Sequence, residues 1–443
     1  MVCGRTHKAL AILSLLLMGW AAAGRAAQDP RHLPLPVRVV LSQVYPLMQK
    51  KDYSRAVERL LAFQARGGPA PPAGTADPKG YHHPEIYYTL GNCYLLQGRH
   101  PQAVAAYSQA VSRNPKHTYA WLNLAKAYYE GKSYAEAARC FERAYESSPE
   151  RNPEHLYLAA AAQLMAGRHA QSIALFERLL AAHPQAVQPE WKEYLVHALL
   201  AANRPRRALP YIRQLAETYT GEKQMQWQEI LLYQYVQLGM SAQALSLART
   251  LTEKAPTTAK WWKALAHIQL NAGRNEEALA ALIIYSFLTP LSREESQLLA
   301  DLSLQVGIPR KAVPLYESCL REKRDKEVLQ RLIYAYRRLG RSDAALARLD
   351  RFAPKPDDDP ELLMLKAELL YDLKEYHRAA AVFRRAAQVE GNHAGRAWLM
   401  AGYAAWQAQD LEAGRQSFAR AARYPGERKT ALSVLRQIQT EAP

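Results

Sequence analysis

An all-α fold built from stacked helical hairpins, an α-solenoid, is predicted by three marks that recur in one phase. Small residues stand at Ala103, Ala137, Ser172, Ala208, Ala244, Ala278, Ala312, Ala345, Ala379 and Gly414, spaced 33 to 36 apart. A glycine stands five residues before the small one at Gly98, Gly167, Gly239, Gly273, Gly307 and Gly340. A proline stands twelve residues after it at Pro115, Pro149, Pro184, Pro256 and Pro290. Two antiparallel helices cross closely only where no large side chain intervenes, which accounts for the small residues. The glycine ends the first helix in a left-handed conformation that carries no Cβ penalty. The proline stops the second helix and resets the chain.

A period of about 34 with these marks is that of the tetratricopeptide repeat, a helix-turn-helix unit that stacks into a superhelix. The first helix of each unit supplies its own small residue at Gly91, Ala125, Ala160, Ala266, Ala300, Ala367 and Gly402. Val196, Leu232 and Ile333 are larger at that position, and splayed or rotated units are expected there. Apolar residues at helical spacing, such as Tyr87, Leu90 and Tyr94 with Tyr107, read as inter-helix core.

Taken from the start, residues 1–27 read as a secretory signal. Arg5 and Lys8 precede an apolar run from Ala9 to Ala23, which is followed by small residues suited to cleavage. The run is shorter than the roughly 20 residues that span a bilayer, and an uncleaved inner-membrane anchor is the alternative reading. No cysteine follows the run as a lipoprotein would require, and export from a bacterial cytoplasm leads to the periplasm. Residues 37–66 form a divergent first hairpin. Residues 67–83, rich in Gly, Pro and Ala, read as a linker or protruding loop. An array of about ten repeats occupies 84–424, interrupted by an acidic, proline-rich connector at Ala353–Pro360. A capping helix at 427–440 shields the last core from water.

The formal charge is +17, and removal of the signal leaves 55 basic against 41 acidic residues. Such an excess suits nucleic acid, but export and the lack of any recognised nucleic-acid motif argue against that partner. Solvated arginine-rich faces, or attraction to an anionic envelope surface, account for it instead. Outside the signal lie Cys93, Cys140 and Cys319, an odd number at a spacing that fits neither zinc nor a redox pair. They read as small buried apolar residues, with a Cys93–Cys140 disulfide as the alternative. No nucleophile-base order and no metal-ligand spacing stands out, so neither catalysis, metal nor cofactor is expected.

What remains is binding. The residue after the small position of each first helix faces the concave groove in the usual phase of this repeat. With neighbouring positions, the candidates are Tyr88, Asn92, Lys126, Tyr129, His197, Tyr233, Lys263, His267, Tyr334, Arg337, Tyr371, Tyr403 and Trp406; Tyr119 is among the other neighbouring groove positions. Tyrosine outnumbers phenylalanine 26 to 7, and a phenol can both pack a ligand and bond a peptide carbonyl. That lining suits a protein partner presenting an extended peptide or a helix. Some chaperone-binding members of this superfamily hold a C-terminal carboxylate with two asparagines and three basic residues. Asn92 and Asn123 match the asparagines, but Tyr88, Glu154 and Leu158 stand at the basic positions, so that clamp is incomplete.

Four segments carry a closer resemblance: Trp227 to Tyr235, Trp261–Trp262, Gly307–Ala312 and Glu427–Ala431. In these the chain resembles the exported tetratricopeptide proteins encoded with TonB, ExbB and ExbD energy-transduction components. The resemblance implies a non-enzymatic periplasmic accessory of outer-membrane transport with a TonB- or ExbD-like protein partner. A scaffold for polysaccharide export or envelope assembly uses the same fold and is the alternative.

Overall fold

The computed structural model describes residues 33–353, 359–389 and 393–441. The signal region and the proline-rich centre of the 353–360 connector therefore lie outside the described residues. The described residues form twenty-three α-helices and no strand. The chain divides into two compact units at Leu238 and Gly239.

The N-terminal unit opens with α1 (Leu35–Gln49) and α2 (Tyr53–Ala65). Four repeat hairpins follow: α3 (Pro84–Leu96) with α4 (His100–Arg113), α5 (Thr118–Glu130) with α6 (Tyr134–Ser147), α7 (Pro153–Met165) with α8 (His169–Ala182), and α9 (Pro189–Ala201) with α10 (Pro205–Thr218). The unit closes with α11 (Gly221–Gln237). The second unit runs α12 (Ser241–Lys254), α13 (Ala259–Asn271), α14 (Asn275–Leu288), α15 (Arg293–Gln305), α16 (Pro309–Glu322), α17 (Lys326–Arg338) and α18 (Ser342–Phe352). It continues with α19 (Pro360–Asp372), α20 (Tyr376–Ala386), α21 (Ala394–Gln407), α22 (Leu411–Ala421) and the final helix α23 (Arg428–Glu441).

Local chemistry explains the boundaries. Proline at the first helical position starts α3, α7, α9 and α19, where its missing N–H costs no hydrogen bond. Ser292 and Glu295 form a reciprocal capping box at the start of α15. All six recurring glycines have φ between 69° and 85°. Elsewhere the same turn is made without glycine, by Lys132, Asn203, Lys374 and Gln409 at φ 55° to 63°. Gly131 sits one place too early to serve, with φ −74°.

The close crossings are equally concrete. A Cβ on Gly91 would stand 2.6 Å from the Tyr107 ring, and one on Gly402 would stand 2.6 Å from the Phe418 ring. The aromatic lies sixteen residues after the small position in each case. Where the first-helix residue is larger, its sixteenth successor is smaller. Ile333 shares a core with Leu349, and Val196 is followed by Ile212, all four being buried. This exchange of volume between facing positions is what the sequence expectation of splayed units left out.

The 67–83 segment, expected as a linker or protruding loop, is a non-helical loop tied to the first hairpins. The Asp77 carboxylate accepts hydrogen bonds from the backbone N–H of Gly80 at 2.9 Å and of His82 at 2.7 Å. Buried His82 bonds the Tyr87 hydroxyl at 2.9 Å and the Gly68 carbonyl at 3.1 Å. Arg113 donates to the Pro71 carbonyl, and Tyr81 packs on Phe63. The loop is thus fastened to the first hairpins through Pro71, Asp77, Tyr81 and His82, while residues 67–70, 72–76, 78 and 79 are exposed.

Candidate binding surface

The first helices of successive repeats meet along a seam, and five of the thirteen candidate groove residues, Tyr88, Asn92, His197, Lys263 and Arg337, help to build it. In the N-terminal unit the join is mainly aromatic and amide, with one charged pair, Lys223 to Glu193 at 2.6 Å, between α9 and α11. Tyr88 is buried with its ring 4.8 Å from that of His117. His117 Nε2 lies 3.2 Å from Glu85 Oε2, and the two side chains are 1% and 2% exposed, so this contact is sealed from water. Asn92 Oδ1 accepts from the Tyr107 hydroxyl at 2.6 Å and from Asn123 Nδ2 at 2.7 Å. Further along, Tyr157 stacks on Trp191 with centroids 5.0 Å apart and planes 11° from parallel. Burial pushes the phenols of Tyr88 and Tyr129 up to about 12 and His155 down to about 4.

In the second unit the same row is joined by charge. Lys263 pairs with Glu295 at 2.6 Å, Arg293 with Asp325 at 3.0 Å, and Asp301 with Arg331 at 2.5 Å. Lys326 reaches Asp359 and Glu361, both at 2.7 Å. Arg337 holds Glu368 at 3.0 Å and Asp372 at 2.7 Å. The Arg293 guanidinium holds the Asp325 carboxyl below the usual range.

These contacts correct several of the groove candidates. Tyr88 and Tyr129 are core residues, the latter edge-on to Tyr134 at 5.1 Å. Asn92, Lys263 and Arg337 spend their polar atoms on neighbouring helices. Lys126 lies 3.8 Å from Glu130 on its own helix. His197, half-buried near Trp227, has its pKa lowered by desolvation. Tyr371 packs on Tyr376, while Tyr403 and Trp406 pack against Phe418, Val434 and Ile438, beneath α23. Cys93, Cys140 and Cys319 are free and buried, so the alternative disulfide is absent.

Three candidates remain open to solvent. Tyr233 is 51% exposed and Tyr334 50%, and His267 is exposed beside Lys263. Tyr119, at the start of α5, is 45% exposed and joins them as a large aromatic available on a first helix. Desolvation, then the Lys263 ammonium, lowers the His267 pKa, which keeps its imidazole neutral near pH 7. Among the described residues no cluster of three metal-ligating side chains occurs, and no helix is long and apolar enough to cross a membrane.

Tetratricopeptide repeat family models match residues 43–117, 88–152 and 331–393, and a second such model matches 128–195. The chain therefore carries tetratricopeptide repeats, and its fold is the all-α solenoid that those repeats form. Such repeats are a protein-interaction scaffold. Over 90 residues the chain is 31% identical to Superkiller complex protein 3 of Homo sapiens, and equally to that of Mus musculus. The match covers 20% of this chain and spans only 6% of those relatives' length. Among solved structures, Naa15/Naa10 bound to HypK-THB is similar at 15% identity over 86% of this chain and 67% of that one, with a TM-score of 0.33. A tetratricopeptide repeat protein from Parabacteroides merdae is similar at 16% identity over 68% of this chain and 98% of its own, with a TM-score of 0.30.

Proposed function

We propose that this chain is an exported, non-catalytic scaffold that binds protein segments on the first-helix faces of its repeats. The observation that carries the reading is the exposure of Tyr119, Tyr233 and Tyr334 on first helices, where a sealed stack would bury such rings. An exposed phenol offers a rigid apolar face and one hydrogen-bonding atom at low entropic cost, which suits an extended peptide or partner helix. Each unit supplies such positions of its own. The basic, apolar start of the sequence supports export to a periplasm. The segments around Trp227, Trp261, Gly307 and Glu427 support a role beside TonB, ExbB and ExbD in energised outer-membrane transport.

The test is a photo-crosslinking amino acid placed at Tyr233 and, separately, at Tyr334 in the native host. Adducts with a TonB, ExbB or ExbD component are expected. Adducts with export or envelope-assembly proteins instead would replace the transport role by the alternative. If Tyr233→Ala, His267→Ala and Tyr334→Ala together leave partner capture unchanged, the first-helix faces do not bind the partner.

A further inference from the structure

The turns that join first to second helices lie along one edge of the N-terminal unit, and their charge is strongly one-sided. Segments 50–55, 97–102, 130–136, 166–171 and 202–208 contain nine Lys and Arg against three Asp and Glu. The turns at the opposite edge, 112–118, 146–155, 182–190 and 217–224, contain four against six. In the second unit the corresponding first-to-second turns, 272–278, 306–312, 339–345, 373–379 and 408–414, are balanced at six against six. The basic edge therefore belongs to one unit, and the repeat architecture alone does not produce it.

The three carboxylates on that edge are already engaged. Asp52 caps the N–H of Arg55, Glu130 lies near His100 and Lys126, and Glu136 holds Arg139. Of the cations, Arg55 pairs with Asp52 and Arg207 with Glu177, but six others do not pair. Lys51, Arg99, Lys132, Arg168, Arg204 and Arg206 are all exposed, and none forms an ion pair among the described residues. Arg99 stacks on Tyr94, which gives it a packing role, but the other five have no ring contact. The turns are open: a Cβ added at Gly98 or Gly167 would find nothing within 4 Å.

We infer that this edge docks on a membrane surface carrying anionic lipid headgroups. Protruding turns with one or more free cations per hairpin offer no cleft to enclose a peptide backbone. A layer of laterally mobile anions can meet each turn whatever its spacing, and each cation near such a surface adds attraction that salt screens. The inference does not depend on the first-helix faces that bind protein.

Full-length protein is sedimented with vesicles of phosphatidylcholine containing phosphatidylglycerol, and with vesicles of phosphatidylcholine alone. The apolar run would enter both kinds, so the difference between them is the readout. The wild type should prefer the anionic vesicles, and added salt should erase the preference. Lys132→Glu, Arg168→Glu, Arg204→Glu and Arg206→Glu together should reduce the preference roughly tenfold or more. The matched second-unit set, Arg274→Glu, Arg310→Glu, Lys311→Glu and Lys374→Glu, should leave it intact. The four-Gln version of the edge set, with helicity checked by circular dichroism, guards against loss of fold. The inference is overturned if the wild type shows no preference, if both charge-reversed sets lose it equally, or if poly-glutamate is bound while anionic vesicles are not. Loss of vesicle binding with unchanged protein capture separates this edge from the proposed scaffold surface.

Discussion

Tyr157 stacked on Trp191 in the N-terminal unit and Arg337 held by Glu368 and Asp372 in the second unit do the same job, joining the first helices of successive repeats. The first join is dry. Its strength comes from area removed from water and from a pair, Glu85 and His117, that solvent does not reach. The second join is wet: the Arg337, Glu368 and Asp372 side chains are 22–34% exposed, so water and salt compete with each bond. One backbone plan thus tolerates two seams of opposite chemistry, because a repeat needs only to bury its hairpin core and meet its neighbour.

The largest difference should appear when one partner of each seam is removed. His117→Ala leaves Glu85 buried beside an already unpartnered Oε1 atom, and the loss should be about 3–5 kcal/mol in urea unfolding. Arg337→Ala should cost about 1 kcal/mol or less, because solvent replaces what is lost. Equal losses would break the distinction between a dry and a wet seam. The second effect is on pH. His155 in α7 is held near 4 by burial, against about 6.5 when unfolded, so between these values the unfolded chain binds more protons. Stability should therefore fall as pH drops from about 6.5 towards 4, by up to about 3 kcal/mol. His155→Gln should flatten that slope, and an unchanged slope would assign it elsewhere.

A third change should be alike in both units. Lys132 and Lys374 occupy left-handed turns at φ 61° and 63° where six other repeats use glycine. Lys132→Gly and Lys374→Gly should each stabilise by about 0.5–1 kcal/mol, the relieved strain exceeding the entropy glycine adds to the unfolded chain. Thermal melts of the single variants check this, and a rise in only one of them would show that the turns differ between units.

The hairpin itself was legible because its determinants are local and periodic. Gly98, Ala103 and Pro115 lie within one unit, and each acts on its own helix or the next. The seam was legible only in part because its contacts join residues about 31 to 35 positions apart. Asn92 with Asn123, Lys263 with Glu295 and Arg337 with Glu368 all look, one residue at a time, like polar groups facing a groove. A search for complementary charge one repeat away would have paired Lys263 with Glu295 and Arg337 with Glu368, and removed both cations from the groove candidates. Tyr88 and Tyr129 failed for another reason. A phenol reads as amphipathic in a sequence, and only its neighbours decide whether the ring is lining or core. Residues 67–83 were legible only as a loop: Gly and Pro exclude a helix, but Asp77 and His82 fasten that loop with bonds that composition does not show.

Salt provides the smallest but most direct comparison, because both seams are present in one chain. At roughly 1 M NaCl the screening length falls to about 3 Å, shorter than the reach of most exposed pairs. The Arg293, Arg331 and Arg337 pairs should each weaken by a few tenths of a kcal/mol. The Tyr157–Trp191 stack and the sealed Glu85–His117 contact should not weaken, since no ion enters them. Amide hydrogen exchange resolves the two units: α15, α17 and α19 should exchange faster at high salt, while α3, α5 and α7 keep their rates or slow slightly. A uniform change along the chain would mean that the charged seam contributes no stability of its own, and that hairpin packing alone holds the second unit together.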